Sequence, residues 1–109
     1  MEKKDNVISQ DMIIAVVNQG FSDDLVNTAR EAGASGGTIM NARGLAHEGA
    51  ASFFDISGHD EKEIILLLVD REKRVQMMQA LTASHGLNTK AHGIIYSLPV
   101  DDVVGMKNE

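Results

Sequence analysis

Apolar positions along this chain fall into four short blocks with two stretches of helical spacing between them. Met12–Val17 is rich in β-branched residues and Gly20 closes it, so it reads as a strand. Ser22 offers an N-cap, and Asp23 and Asp24 sit in the first turn, where a helix carries its positive end. Leu25, Val26, Ala29 and Ala32 follow at i, i+1, i+4 and i+7, one face of a helix that Gly33 stops. Thr38–Arg43 reads as a second strand ending at Gly44, and the segment from Leu45 to Lys62 shows no clear period. Ile64–Val69 predicts a third strand. Asp70 can cap a second helix with Val75, Met78 and Leu81 on one face, stopped by Gly86. Ile94–Val100 closes the series as a strand whose Pro99 restricts its end to an edge or a turn.

The order β-α-β-β-α-β predicts an α+β, ferredoxin-like domain, an antiparallel sheet with two helices on one face. One strand in this plan is unusual. Ile64, Leu66 and Leu68 point one way and Ile65, Leu67 and Val69 the other, so both faces of the third strand are apolar. The helices cover one set only. A second copy of the chain is the simplest cover for the other set, and partial cover by the long connection after the second strand is the alternative.

At 109 residues there is room for one domain. Residues 12–106 are expected to form it, with a flexible segment at 1–11 and a tail at 107–109. Aromatic residues make up 4% of the chain, so its core must be aliphatic, with Met77, Met78 and Met106 as fillers of the core or an interface. The absence of cysteine excludes disulfides, thiolate metal sites and cysteine nucleophiles. A net charge of −6 argues against nucleic acid, and the third strand lacks the stacking aromatics of RNA-recognition domains built on the same plan. The loop Asn18–Asp24 is acidic and without Arg, unlike the phosphate loop of acyl-phosphate hydrolases of this plan. The Gly33–Gly37 stretch precedes a strand and reads as a plain turn, and Asp101-Asp102 as a turn after Pro99. No nucleophile–base set can be assembled, so an enzyme is not expected. The apolar runs are far below the roughly 20 residues that span a bilayer, and the polar start lacks a secretory pattern, so a cytoplasmic protein without membrane insertion is expected.

The residues Gly36-Gly37-Thr38-Ile39-Met40-Asn41-Ala42-Arg43-Gly44, the strand Glu63–Val69 with the helix after it, and the closing Leu98–Met106 together resemble the P-II nitrogen-regulatory signal proteins. The resemblance runs from about Met12 to Met106, with the segments in the family's order. It implies a homotrimer with inward-packed sheets and a projecting loop after the second strand. That loop touches a regulated enzyme, transporter or channel in nitrogen utilisation. A small-molecule effector binds in the intersubunit clefts. Thr38 and Gly44 match positions lining the nucleotide cleft, and Gly93 matches a glycine between the second helix and the fourth strand. Other positions depart from the family. Ala46-His47-Glu48 replaces Gly-Arg-Gln, putting Glu48 where a Gln helps hold 2-oxoglutarate and a metal, and a carboxylate there repels a dicarboxylate. Ile94 stands in place of a phosphate-gripping Lys, and Gly105 and Lys107 in place of two Arg, so the charge-assisted contacts to ATP are mostly missing and adenine nucleotide is not expected as a ligand. The projecting loop holds no Tyr, and Tyr96 belongs to the last strand, in a core or an interface.

In that fold His47, Glu48 and His92 can converge on an anion or on a metal with N and O ligands; the other reading is that His47, His59, His85 and His92 are scattered over the surface. Phe53 and Phe54, in a connection long for so small a domain, suit a docking tip for a partner, or else Phe53–Ile56 extends the third strand onto a neighbouring subunit. The alternative function is an allosteric amino-acid-binding or metal-responsive module of the same plan.

Overall fold

The computed structural model describes residues 9–34, 36–45 and 59–105. Within them the chain runs β1 (Gln10–Asn18), α1 (Ser22–Glu31), β2 (Thr38–Leu45), β3 (His59–Asp70), a 3₁₀ turn (Arg71–Lys73), α2 (Arg74–His85) and β4 (Ile94–Val100). The strands form one sheet in the order β2-β3-β1-β4, with every neighbouring pair antiparallel. This is the ferredoxin-like arrangement, and Pro99 lies on an edge strand as its missing N–H requires.

The period of two along β1 and β3 decides where the core lies. Ile13, Ala15 and Val17 on β1 and Ile65, Leu67 and Val69 on β3 are buried, and they form one cluster with Leu25 and Ala29 of α1 and Met77 and Leu81 of α2. α1 uses the face its spacing predicts, Leu25 and Ala29 fully buried with Val26 and Ala32 packed at the margin. α2 does so only in part. Its inner face is Met77, Leu81 and His85, at i, i+4 and i+8, while Val75 is turned to solvent and Met78 lies at the margin. The helix begins after the 3₁₀ turn, with Val75 in its first turn.

Both expected caps are absent. Ser22 is the first residue of α1 and makes no side-chain cap; the amides of Gly20 and Ser22 instead donate to Glu63 Oε1, at 3.1 and 3.2 Å. Glu63 reaches them from β3, placing a carboxylate at the positive end of the helix. Asp70 does not cap α2 either, because its Oδ1 accepts from Gln10 Nε2 at 3.0 Å across the β1–β3 pair. The turn is held by Asp11, 1% exposed, whose oxygens take Arg71 Nε at 3.0 Å and Arg74 at 3.3 Å.

The other face of the sheet carries neither helix. Directly opposed residues bring Leu66, Ile14 and Tyr96 into one row, Ile64 and Val16 with Met40 and Ile94 into a second, and Leu68, Met12 and Leu98 into a third. These are apolar side chains, yet Met40, Tyr96 and Leu98 are 40–50% exposed in the single chain. The two-faced third strand of the sequence is therefore real: one set is buried by the helices, and the other lies half-buried on the face that neither helix covers. Tyr96 is not in the core of a single chain.

Candidate functional site

The polar end of the bare face is organised by Asn18 at the end of β1. Its backbone N–H donates to Ala91 O at 2.9 Å and its Nδ2 to Lys90 O at 3.1 Å, which ties the α2–β4 connection to the sheet. Its Oδ1 accepts from Lys62 Nζ at 2.7 Å. Lys62 is 4% exposed. Such burial of an ammonium is rare without a paired acceptor. Register explains the placement: Lys62 opposes Asn18 on one side and Ala42 on the other, so it shares the face of Leu66 and Ile64 and lies one position beyond their apolar rows. One neutral acceptor leaves two of the ammonium's three N–H groups to be used by something else among or beyond the described residues.

Of the residues assigned by resemblance, Gly44 and Gly93 flank this end from opposite edges of the sheet, and Thr38 lies toward the other end of β2. Thr38 begins β2, exposed and opposite Leu66, and Gly44 lies six residues further along, opposite Asp60. Along a strand that is a separation of about 20 Å. Gly93 precedes β4, at the opposite edge of the sheet, where an added Cβ would collide with the His85 carbonyl oxygen and press on Val17. His92 beside it has φ +47 and donates its backbone N–H to Thr89 O at 3.0 Å. β2 and β4 are three strand spacings apart, about 14 Å, and Thr38 and Gly44 are further apart still, so no one small ligand touches all three residues inside a single chain. His47, Glu48, Phe53 and Phe54 lie outside the described residues.

His85 departs from the surface reading. It is 5% exposed, stands edge-on to Phe21 with ring centroids 6.4 Å apart, and places Nδ1 2.6 Å from Ser84 Oγ. Burial pushes its pKa below the ordinary imidazole value, and Asp24 partly opposes the shift. Sequence reading did not single out Lys62 and Asn18, and it left His85 on the surface. For Lys62 the signal was present: it stands two residues before an all-apolar strand, and the period of two carries it onto the bare face.

The family profile of the nitrogen regulatory protein P-II matches residues 10–109. The chain belongs to the P-II family. No curated protein matches it in sequence. Among solved structures it is similar to the Arabidopsis thaliana PII protein bound to citrate, with TM-score 0.68 and 17% identity over 91% of this chain and 82% of that one. The Bacillus subtilis GlnK–ATP complex gives TM-score 0.68 and 15% identity over 84% and 82%. A putative PII-like signaling protein of Thermus thermophilus gives 0.64 and 22% over 85% and 88%. Identities this low carry the fold alone. Membership makes this P-II protein a signal-transduction regulator, and among its described residues no helix is long and apolar enough to cross a membrane.

Proposed function

We propose that this P-II protein acts as a cytoplasmic homotrimeric regulator in nitrogen utilisation. Its bare sheet faces pack against one another, and a small anionic effector binds in the clefts between subunits. Residues 46–58 carry the signal to a regulated enzyme, transporter or channel, with Phe53 and Phe54 as the docking pair. The observation that carries this reading is Lys62, a buried ammonium held by one neutral acceptor at the rim of an uncovered apolar face. A cation so placed favours an anion brought to it in a site largely shielded from water. The spread of Thr38, Gly44 and Gly93 over one sheet supports a cleft built from two copies, since one copy holds the three too far apart for a small ligand. His47, Glu48 and His92 belong to the same cleft in this reading.

The two ligands named for relatives, citrate on the plant protein and ATP on the Bacillus one, differ in what they demand. A triphosphate needs several cationic donors; β4 opens here with the apolar Ile94, and Gly105 is exposed without a side chain. A small carboxylate needs fewer. Titration calorimetry of the full chain with citrate, 2-oxoglutarate and ATP tests the reading. At least one carboxylate binds, ATP binds no tighter than about 100 µM, and Lys62→Met removes the carboxylate signal without changing the oligomer. Carboxylate binding that survives Lys62→Met unchanged removes the basis of the anion cleft.

A further inference from the structure

A groove of about 410 Å³ lies on the helical side of the molecule, between the outer face of α1 and the segment Ser84–Ala91. That volume falls within the roughly 300–1,000 Å³ typical of small-molecule sites. It is separate from the Lys62 cleft, which opens on the other face of the sheet. Its walls have distinct chemistry. Phe21 and Ala91 give an apolar floor, Asp24 and Glu31 project from α1, and Lys90 stands on the opposing connection.

Between them sits the edge of His85. The Ser84 hydroxyl lies 3.2 Å from Ala80 O and 2.6 Å from His85 Nδ1, and the direction of the second bond follows the imidazole tautomer; in the tautomer that carries its proton on Nδ1, Nδ1–H donates to Ser84 Oγ and the Ser84 hydrogen goes to Ala80 O. Nε2 is then a bare acceptor. It has no hydrogen-bond partner among the described residues, and it is not sealed off, since Gln10 Oε1 is the one fully buried polar side-chain atom lacking a partner there. A neutral acceptor and two carboxylates face one ammonium, leaving the lining with a net charge of −1. The complementary ligand offers N–H donors with positive charge at one end, a carboxylate at the other, and net charge +1.

We propose that this groove is a second ligand site, taking a basic amino acid whose cationic group meets Asp24, Glu31 and His85 Nε2 and whose carboxylate meets Lys90. The site is coupled to the rest of the protein by its own wall. Lys90 and Ala91 offer their carbonyls to Asn18, and the His85 carbonyl packs on Gly93. A ligand bridging α1 to Lys90 therefore steadies the connection that reaches the Lys62 end of the sheet. The groove rests on neither the trimer nor the anion cleft, so either can fail without the other.

Calorimetry of the full chain at about pH 8, where the imidazole is neutral, decides the matter. L-arginine, L-lysine, agmatine and L-glutamate are titrated separately. Arginine or lysine gives saturable heat, glutamate gives none, and agmatine, which keeps the guanidinium but lacks the carboxylate, binds about fivefold or more weaker than arginine. Asp24→Asn, at an exposed position, weakens the basic amino acid about tenfold while the melting temperature is kept, and Lys90→Ala brings arginine and agmatine to the same affinity. No saturable heat from either basic amino acid at about 10 mM overturns the proposal. So does binding that Asp24→Asn leaves unchanged, or equal affinity for arginine and agmatine in the unaltered chain.

Discussion

Replacing Leu66 by Asp places one charge at the centre of the bare sheet face. Leu66 lies in register with Ile14 and Tyr96 on one side and Thr38 on the other, and the helices do not reach it. It is half-buried in the single chain, so assembly removes only its remaining exposed area. Full burial of a leucine is worth about 1.5–3 kcal/mol, and the part still to be gained is therefore about 1 kcal/mol per subunit. The new carboxylate adds a larger cost. Kept ionised in an apolar contact it is strongly disfavoured, and the escape by protonation at neutral pH costs about 4 kcal/mol from an ordinary carboxyl pKa. Allowing for incomplete desolvation, roughly 3–4 kcal/mol per subunit gives about 10 kcal/mol over three copies, or some seven decades in the assembly constant. Sedimentation equilibrium at micromolar concentration reads the outcome directly. The unaltered protein should sediment at three times 11.8 kDa and Leu66→Asp at 11.8 kDa, with the far-ultraviolet circular dichroism unchanged because the helical-face core is untouched. A Leu66→Asp protein with the mass of the unaltered one refutes the assignment of this face to the subunit contact. A stable monomer of the unaltered chain refutes both the contact and the trimer.

Two further outcomes follow from the helical side. Gly93→Ala drives a methyl into the His85 carbonyl, a backbone atom that cannot rotate aside, so a loss of about 2 kcal/mol and a fall in Tm of roughly 8–16 °C are expected by thermal melting; an unchanged Tm would show that the α2–β4 connection shifts freely. Desolvation lowers the His85 pKa in the folded state, so over the interval below the ordinary value of 6.5 the unfolded chain binds more protons than the folded one. Stability is then complete above 6.5 and declines as pH falls toward the folded value; urea titrations should show His85→Phe flattening that decline by at most one proton, and an unaltered slope would remove His85 from the acid response.

The sequence made the topology legible because apolar blocks of two different periods alternate cleanly, and it made the assembly surface legible because one strand is apolar at both parities. It hid what depends on distant contacts. The β3 strand was read as Ile64–Val69 but runs from His59, since its polar start has no apolar alternation and is held as strand by pairing with Asn41–Leu45. On α2 the expected stripe of Val75, Met78 and Leu81 holds at Leu81 and at the margin with Met78 but not at Val75, because Val75, Met77, Met78 and Leu81 crowd two adjoining stripes and the inner one also carries a polar residue, His85, that pattern reading sends to the surface. Ser22 looked like a cap because capping is local, while the group that satisfies the helix end, Glu63, is 41 residues away. Lys62 escaped notice for a like reason: its partner Asn18 is 44 residues distant, and a lysine at a strand end ordinarily reads as solvent-facing.

Lys62 and Glu63 are adjacent in β3 and serve opposite faces of the sheet, the ammonium toward the bare side and the carboxylate into the amides that open α1. Because the whole strand interior from Ile64 to Val69 is apolar, sliding β3 by one residue would exchange one oily set for another at small cost, and hydrophobicity alone would barely object. The charged pair supplies the objection. In the slipped arrangement a cation would face the positive end of α1 and a carboxylate would enter the pocket made for an ammonium. The dipeptide thus acts as a polarity key for the strand, permitting the central ribbon to be greasy on both sides, as an assembling subunit requires, while still admitting a single alignment.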